Sequence, residues 1–338
     1  MSRLSLDCVS FTGSGLLRPE CVLTHRSGLL FTADWTKRGG VSIVDPASGS
    51  VSRLLSNRAE VKPNGILLED NGTFLLTHLG ADDGGVFRLH PTGTIEPVLT
   101  EVGGAPLPPS NFAVKDDMGR LYVTISTRKI PRHAAAHADA RDGFIVMKPP
   151  VGRALIVADG LGYTNEALFS PDGRTLYVNE TFSRETSAFP VHADGSLGKR
   201  EVVARYGHGI YPDGLALDVT GHLWITSIIS NTVLRVAPDG TQETILDDRD
   251  AAFVDAVEEH YHAHTLDRVL LDRPHLGPLK NVSSLAFGGP NLSTAYLGCL
   301  LGDSIAQFAS PVAGHTPPHY DADIAPLAEA GRLPHRTG

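Results

Sequence analysis

"IYPDGLALDVTGHLWIT", residues 210–226, places an acidic residue and a glycine where an apolar strand begins. Asp213 stands between Pro212 and Gly214, and Leu215, Leu217, Leu223 and Ile225 then alternate as on two strands joined by a turn at Gly221. The second half, "TGHLWITS", is one copy of a recurring signature. Other copies are "SGLLFTAD" from Ser27, "NGTFLLTH" from Asn71, "MGRLYVTI" from Met118, "DGRTLYVNE" from Asp172 and, without the turn glycine, "LSTAYLGC" from Leu292. Each is a turn residue followed by a β-branched and aromatic run, which reads as a hairpin turn and a strand. Further strand-and-turn segments follow several of them: "VSIVDPASG", "VFRLHPTG", "VLRVAPDG". Six such units, spaced about 50 residues apart, predict an all-β chain folded as a six-bladed β-propeller with four-stranded blades.

The sixth unit supplies three strands and then runs into "SPVAGHTPPHY", too proline-rich for a strand inside a sheet. The N-terminal "LSLDCVSF" alternates and is expected to complete that blade as its outer strand, closing the ring. Residues 1–338 then form a single propeller domain with insertions near 128–143 and 246–280. The second insertion carries Phe253, Val254, Val257 and Tyr261 at amphipathic-helix spacing.

Composition narrows the function. The 338 residues are 41% hydrophobic and 20% charged, with a formal net charge of −9. That acidic balance and the lack of a basic stripe argue against nucleic acid as a partner. No stretch reaches the roughly 20 apolar residues of a membrane helix, so no membrane partner is expected. Three cysteines without a CxxC pair, and an N-terminus unlike a secretory signal, predict a cytoplasmic chain with reduced thiols.

Counting back eight residues from each turn glycine reaches Glu20, Asn64, Asn111, Asn165 and Asp213; strand alignment puts Ser284, or Ser283, there in the sixth unit. The first strand of a propeller blade lines the central channel, so these positions are expected to converge as a polar ring. Asn, Asp and Ser are also ordinary turn residues, which covers part of the pattern but not Glu20 or the common register. Carboxylates and amides without Cys or His offer hard oxygen ligands. They favour one divalent ion, Ca²⁺ first, with Mg²⁺, Mn²⁺ or Zn²⁺ as alternatives. His78 and His208 are further candidates for contact with a small-molecule substrate. The clusters His133/His137 and His260/His262/His264 read as solvated faces of the insertions.

These segments together resemble the SMP-30/gluconolactonase/LRE family of six-bladed propellers, the regucalcin-like sugar lactonases. The resemblance is carried by "RPECVL", "TNEALFSPDGRTLYVNET", "YPDGLALDVTGHLWIT" and "SSLAFGGPNLSTAYLG" and spans nearly the whole chain. It implies a metal-dependent lactonase in which Glu20, Asn165 and Asp213 hold the metal and Asp213 acts as general base. The similar diisopropylfluorophosphatase-like propellers add Asn111 as a ligand. Asn64, Asn111, Phe112, Ser284, His78 and His208 would face substrate. The chain departs from the family's Arg-x-Asn-Asp motif, with Pro109 for the Arg and Phe112 for the Asp. That points away from an aldonolactone and toward a less hydroxylated or partly aromatic substrate. Ring opening followed by elimination, phosphotriester hydrolysis at the same metal, and a non-enzymatic binding propeller are the alternatives. The binding reading requires Glu20 and Asp213 to be neutralised by arginines rather than by a metal.

Overall fold

The computed structural model describes residues 3–57, 60–273 and 277–335. Six four-stranded antiparallel sheets follow one another round an axis. Their first strands are Val22–Thr24, Pro63–Leu68, Ser110–Lys115, Thr164–Phe169, Ile210–Leu217 and Val282–Gly288. Hydrophobic cores fill the interfaces between consecutive blades. Phe31 and Ile43 of blade 1 pack on Phe74 and Leu76 of blade 2, and Trp224 of blade 5 meets Phe287 of blade 6 edge-on at 5.1 Å. The alternation seen in the sequence buries one set of side chains in each gap between sheets.

Closure comes from the N-terminus, as expected, but through a later and shorter segment. Ser10–Thr12 pairs with Ile305–Ala309 as the outer strand of blade 6. The stretch before it forms a single 3₁₀ turn, Leu6–Cys8, while Leu4, Leu6 and Val9 pack against the core between blades 5 and 6. Its apolar residues are therefore used for packing rather than for a ladder.

The first insertion forms a short 3₁₀ turn, Arg132–Ala135, and the second the helix Ala251–His262. Asp250 caps that helix through the Phe253 amide, and Phe253, Val254, Val257 and Tyr261 are its buried face. The two insertions share a core: Ala135, Ala136 and Ala140 join that face against Tyr163, Phe182 and Tyr211 of blades 4 and 5. A C-terminal helix not anticipated from sequence pattern, Ala325–Glu329, buries Leu327 fully against Gly72.

Buried carboxylates clamp individual blades. In blade 1, Asp34 accepts from Ser42 and Arg53; in blade 4, Glu180 accepts from Ser187 and Arg200. In blade 5, Asp218 accepts from Thr220, Trp224 and Arg235 at 2.7, 3.0 and 2.7 Å. Burial by itself would raise the Asp218 pKa, but these donors more than offset it and bring it from 3.8 down to about 2. A carboxylate with a depressed native pKa stabilises the fold fully above its ordinary value, and that contribution fades as pH falls from about 4 toward 2. Asp218→Asn is expected to cost about 2 kcal/mol at neutral pH and to flatten the acid limb of a stability-versus-pH curve in that window. Denaturant unfolding of both proteins from pH 7 to 2 checks this.

Candidate metal and catalytic centre

The ring residues sit where their strands are interrupted. The register between first and second strands shifts between Pro63 and Ile66, Ser110 and Phe112, Thr164 and Ala167, Pro212 and Leu215, and Val282 and Ser284. Asn64, Asn111, Asn165, Asp213 and Ser283 lie in these bulges. A bulge releases a residue from the ladder and re-aims its side chain. In blade 1 Glu20 precedes the strand altogether.

The backbone groups freed by the bulges are taken up by the second strands. Thr77 Oγ1 accepts from Gly65 N and donates to Asn111 O at 2.7 Å in the next blade. Thr124 accepts from Phe112 N and donates to Asn165 O, and Thr226 accepts from Gly214 N and donates to Ser283 O. Asn179 reaches Asp213 O in the same sense, and Ser283 Oγ closes the circle on Glu20 O. Five of the six blades thus fix the ring residue of the next, and blade 1 is the exception.

The result is a polar ring that is nearly sealed: Glu20, Asn64, Asn111, Asn165 and Asp213 are all buried. The amide nitrogens are committed, Asn64 to Asn111, Asn111 to Ser126 Oγ, and Asn165 to Thr181 Oγ1. Asn64 Oδ1 and Asn165 Oδ1 are left buried with no hydrogen-bond partner among the described residues. Glu20 accepts from Arg18 Nε at 2.9 Å through one oxygen. Among the described residues no hydrogen-bond donor reaches the Asp213 carboxylate. Burial, with Glu20 facing it, pushes the Asp213 carboxyl well above the usual carboxylate range, while Arg18 and Arg132 pull it back. Ionisation of Asp213 at neutral pH, expected from a neighbouring cation, is therefore opposed in the protein alone. Two orphaned amide oxygens and two facing carboxylates form a donor set suited to a hard divalent cation.

A third carboxylate, Glu166, lies close enough to feel both Asp213 and Glu20. It is buried, Leu215 N donates to it at 2.9 Å, and burial together with Asp213 and then Glu20 raises its pKa well above the ordinary value. The sequence carried a signal for it: blades 2 and 5 read Asn-Gly and Asp-Gly at this point, and blade 4 reads Asn165-Glu166. Glu166 lines a cavity of about 1030 Å³ walled by inner-strand residues such as Ile66, Phe112 and Leu215.

The other sequence candidates are placed apart from the ring's interior. Phe112 and Ser284 line that cavity, Phe112 against Gly65 and Ser284 with its Oγ on Val22 N. His78 accepts from Lys62 N and lies 3.6 Å from Asp83. His208 is exposed and holds Asp255 at 2.9 Å. Of the insertion histidines, His137 and His264 do come together, with Asp139 3.1 Å from His264 Nε2. Their rings stack at 4.3 Å, and Lys129 Nζ sits 3.3 Å from His137 Nε2, a cation that competes with any metal for that nitrogen. One ligand atom from each of His137, Asp139 and His264 lies within 4.8 Å of the others.

The SMP-30/Gluconolactonase/LRE-like region matches residues 18–248, more than half of the chain. The chain belongs to this family. Among similar proteins is a 6-deoxy-6-sulfogluconolactonase of Pseudomonas putida, 28% identical over 286 residues that cover 82% of this chain and 81% of that one. Solved structures that share the fold include the following two. A gluconolactonase from Xanthomonas campestris has a TM-score of 0.64 at 20% identity, covering 88% of each chain. A calcium-binding regucalcin from Agrobacterium tumefaciens has a TM-score of 0.64 at 21% identity, covering 92% of this chain and 97% of that one.

The electrostatics of the ring set a stability test. A carboxyl with a raised native pKa costs stability progressively as pH rises above its ordinary value. Asp213→Asn is therefore expected to melt at least ~2 °C above the chelator-treated parent protein at pH 8. Calorimetry at pH 8 and pH 5 checks the sign, and the difference should shrink at the lower pH.

Proposed function

We propose that this chain is a divalent-metal-dependent hydrolase that opens a lactone or related cyclic ester, in keeping with the lactonases named among its relatives. The observation that carries the reading is the pairing of Glu20 and Asp213 with the unpartnered oxygens of Asn64 and Asn165 in one buried ring. Glu20, Asn165 and Asp213 would hold the metal, with Asn111 beside them; Ca²⁺ suits such oxygen donors best. When bound, the ion supplies polarisation of the ester carbonyl and a more acidic water.

The chain's own groups do the rest. Asp213 takes the proton of the attacking water as the new C–O bond forms, and its burial favours the protonated product of that step. The acyl C–O bond then breaks, the proton passes to the departing alkoxide, and a hydroxy acid results. Asn64 and Asn111, tied to each other and to the threonine links, keep the ring oxygens in place during the exchange. The near-complete burial of the ring excludes bulk water.

A binding propeller would need both carboxylates neutralised by arginines. Glu20 meets Arg18, but Asp213 meets no arginine within 4 Å among the described residues. Maintaining this imbalance in a scaffold would be a cost without a purpose.

A panel of sugar and non-sugar lactones, assayed by proton release, tests the proposal. Turnover is expected with Ca²⁺, loss with chelator, and a fall of about 100-fold or more in kcat for Asp213→Asn. Turnover indifferent to chelator and to that variant would refute it.

A further inference from the structure

Arg18 and Arg132 both act on Asp213, but they are placed differently. Arg18 is committed: it bonds Glu20 and its guanidinium lies 4.4 Å over the Trp35 ring. Arg132, carried by the first insertion, has no carboxylate within 4 Å among the described residues. Its Nε donates to Tyr163 OH at 2.8 Å and its Nη2 to Ser126 Oγ at 3.3 Å. Ser126 Oγ is also the acceptor for Asn111 Nδ2 at 3.1 Å, so the guanidinium stands one side chain from the ring. Its Nη1 has no protein acceptor among the described residues.

This placement is supported rather than incidental. Ala135 and Ala136, just after Arg132, are buried in the core shared with the Ala251–His262 helix, and Tyr163 fixes the guanidinium from below. Holding a long cationic side chain still costs rotamer entropy, and half-burying it without a counter-charge costs more. A planar guanidinium presented with one free edge is the usual means of reading an oxyanion. Asp213 acts on Arg132 only through space, beyond the 4 Å of an ion pair, so no carboxylate among the described residues is bonded to the guanidinium.

We infer that Arg132 forms an anion subsite beside the ring, and that the lactone opened here carries an acidic substituent (carboxylate, sulfonate or phosphate) away from the ester. The inference rests on the hydrolase reading and adds the substrate class to it. Arg132 is a specificity residue on this account, and the first insertion is the element that delivers it.

One sugar lactone assayed in four forms tests this: neutral, and with its terminal carbon bearing a carboxylate, a sulfonate or a phosphate. The parent protein is expected to favour at least one acidic form by about tenfold or more in kcat/KM. Arg132→Gln should erase that preference, mainly through KM, and Arg132→Lys should keep part of it. Preference by the parent protein for the neutral lactone would overturn the inference. So would an equal loss on acidic and neutral forms in Arg132→Gln, the mark of a purely structural role. If the parent protein opens none of the four, the hydrolase reading is decided separately by the wider lactone panel, and the subsite is decided by titration calorimetry with the ring-opened acids. Tighter binding to the parent than to Arg132→Gln upholds it, and equal or absent binding overturns it.

Discussion

The structure depends on a backbone constraint repeated round the axis. Where each first strand bulges, an N–H and a carbonyl leave the ladder, and a side chain from a second strand must satisfy them. Thr77, Thr124 and Thr226 do so twice over, accepting within their own blade and donating to the ring residue of the next. A buried backbone group without such a partner would cost on the order of 1–3 kcal/mol. These bonds, with that of Asn179 to Asp213 O, therefore hold Asn111, Asn165, Asp213 and Ser283 in one register around the axis. Blade 1 shows the rule by exception: Glu20 lies before its strand, and Thr32 Oγ1 has no partner among the described residues.

What converges at that point is electrostatically unfavourable in the protein alone. Glu20, Asp213 and Glu166 are buried near one another, and of the three Glu20 has an arginine bonded to it. The contrast with the blade clamps is instructive. Asp218 is just as buried, yet three donors hold it ionised, whereas Asp213 is given no donor among the described residues. One set of carboxylates stabilises the fold and the other holds free coordination capacity, which is how a binding centre differs from a structural ion pair.

Much of this was legible in the sequence. The blade signature is local, a turn glycine followed by a β-branched run, and so is the eight-residue spacing back to each ring residue. The helix at Ala251–His262 was visible in its apolar spacing. The closing strand was misplaced because a three-residue pairing leaves little pattern, and Leu4 and Leu6 mimic alternation while packing as a turn. The resemblance puts Phe112 toward the substrate because it stands at the Asp of the family's motif, whereas the bulge ends there and its ring packs against Gly65 in the channel wall. Arg18 and Arg132 could not be assigned because their partners, Trp35 and Tyr163, come from other turns of the chain.

The central claim is that the ring of Glu20, Asn165 and Asp213 holds one divalent cation. Anomalous diffraction from crystals soaked in Mn²⁺ tests it most directly, because Mn²⁺ takes the same oxygen donors and scatters distinctively. The account predicts a single strong peak on the propeller axis, in contact with Asp213 and lost in Asp213→Asn. A peak at His137, Asp139 and His264 with none on the axis would contradict it.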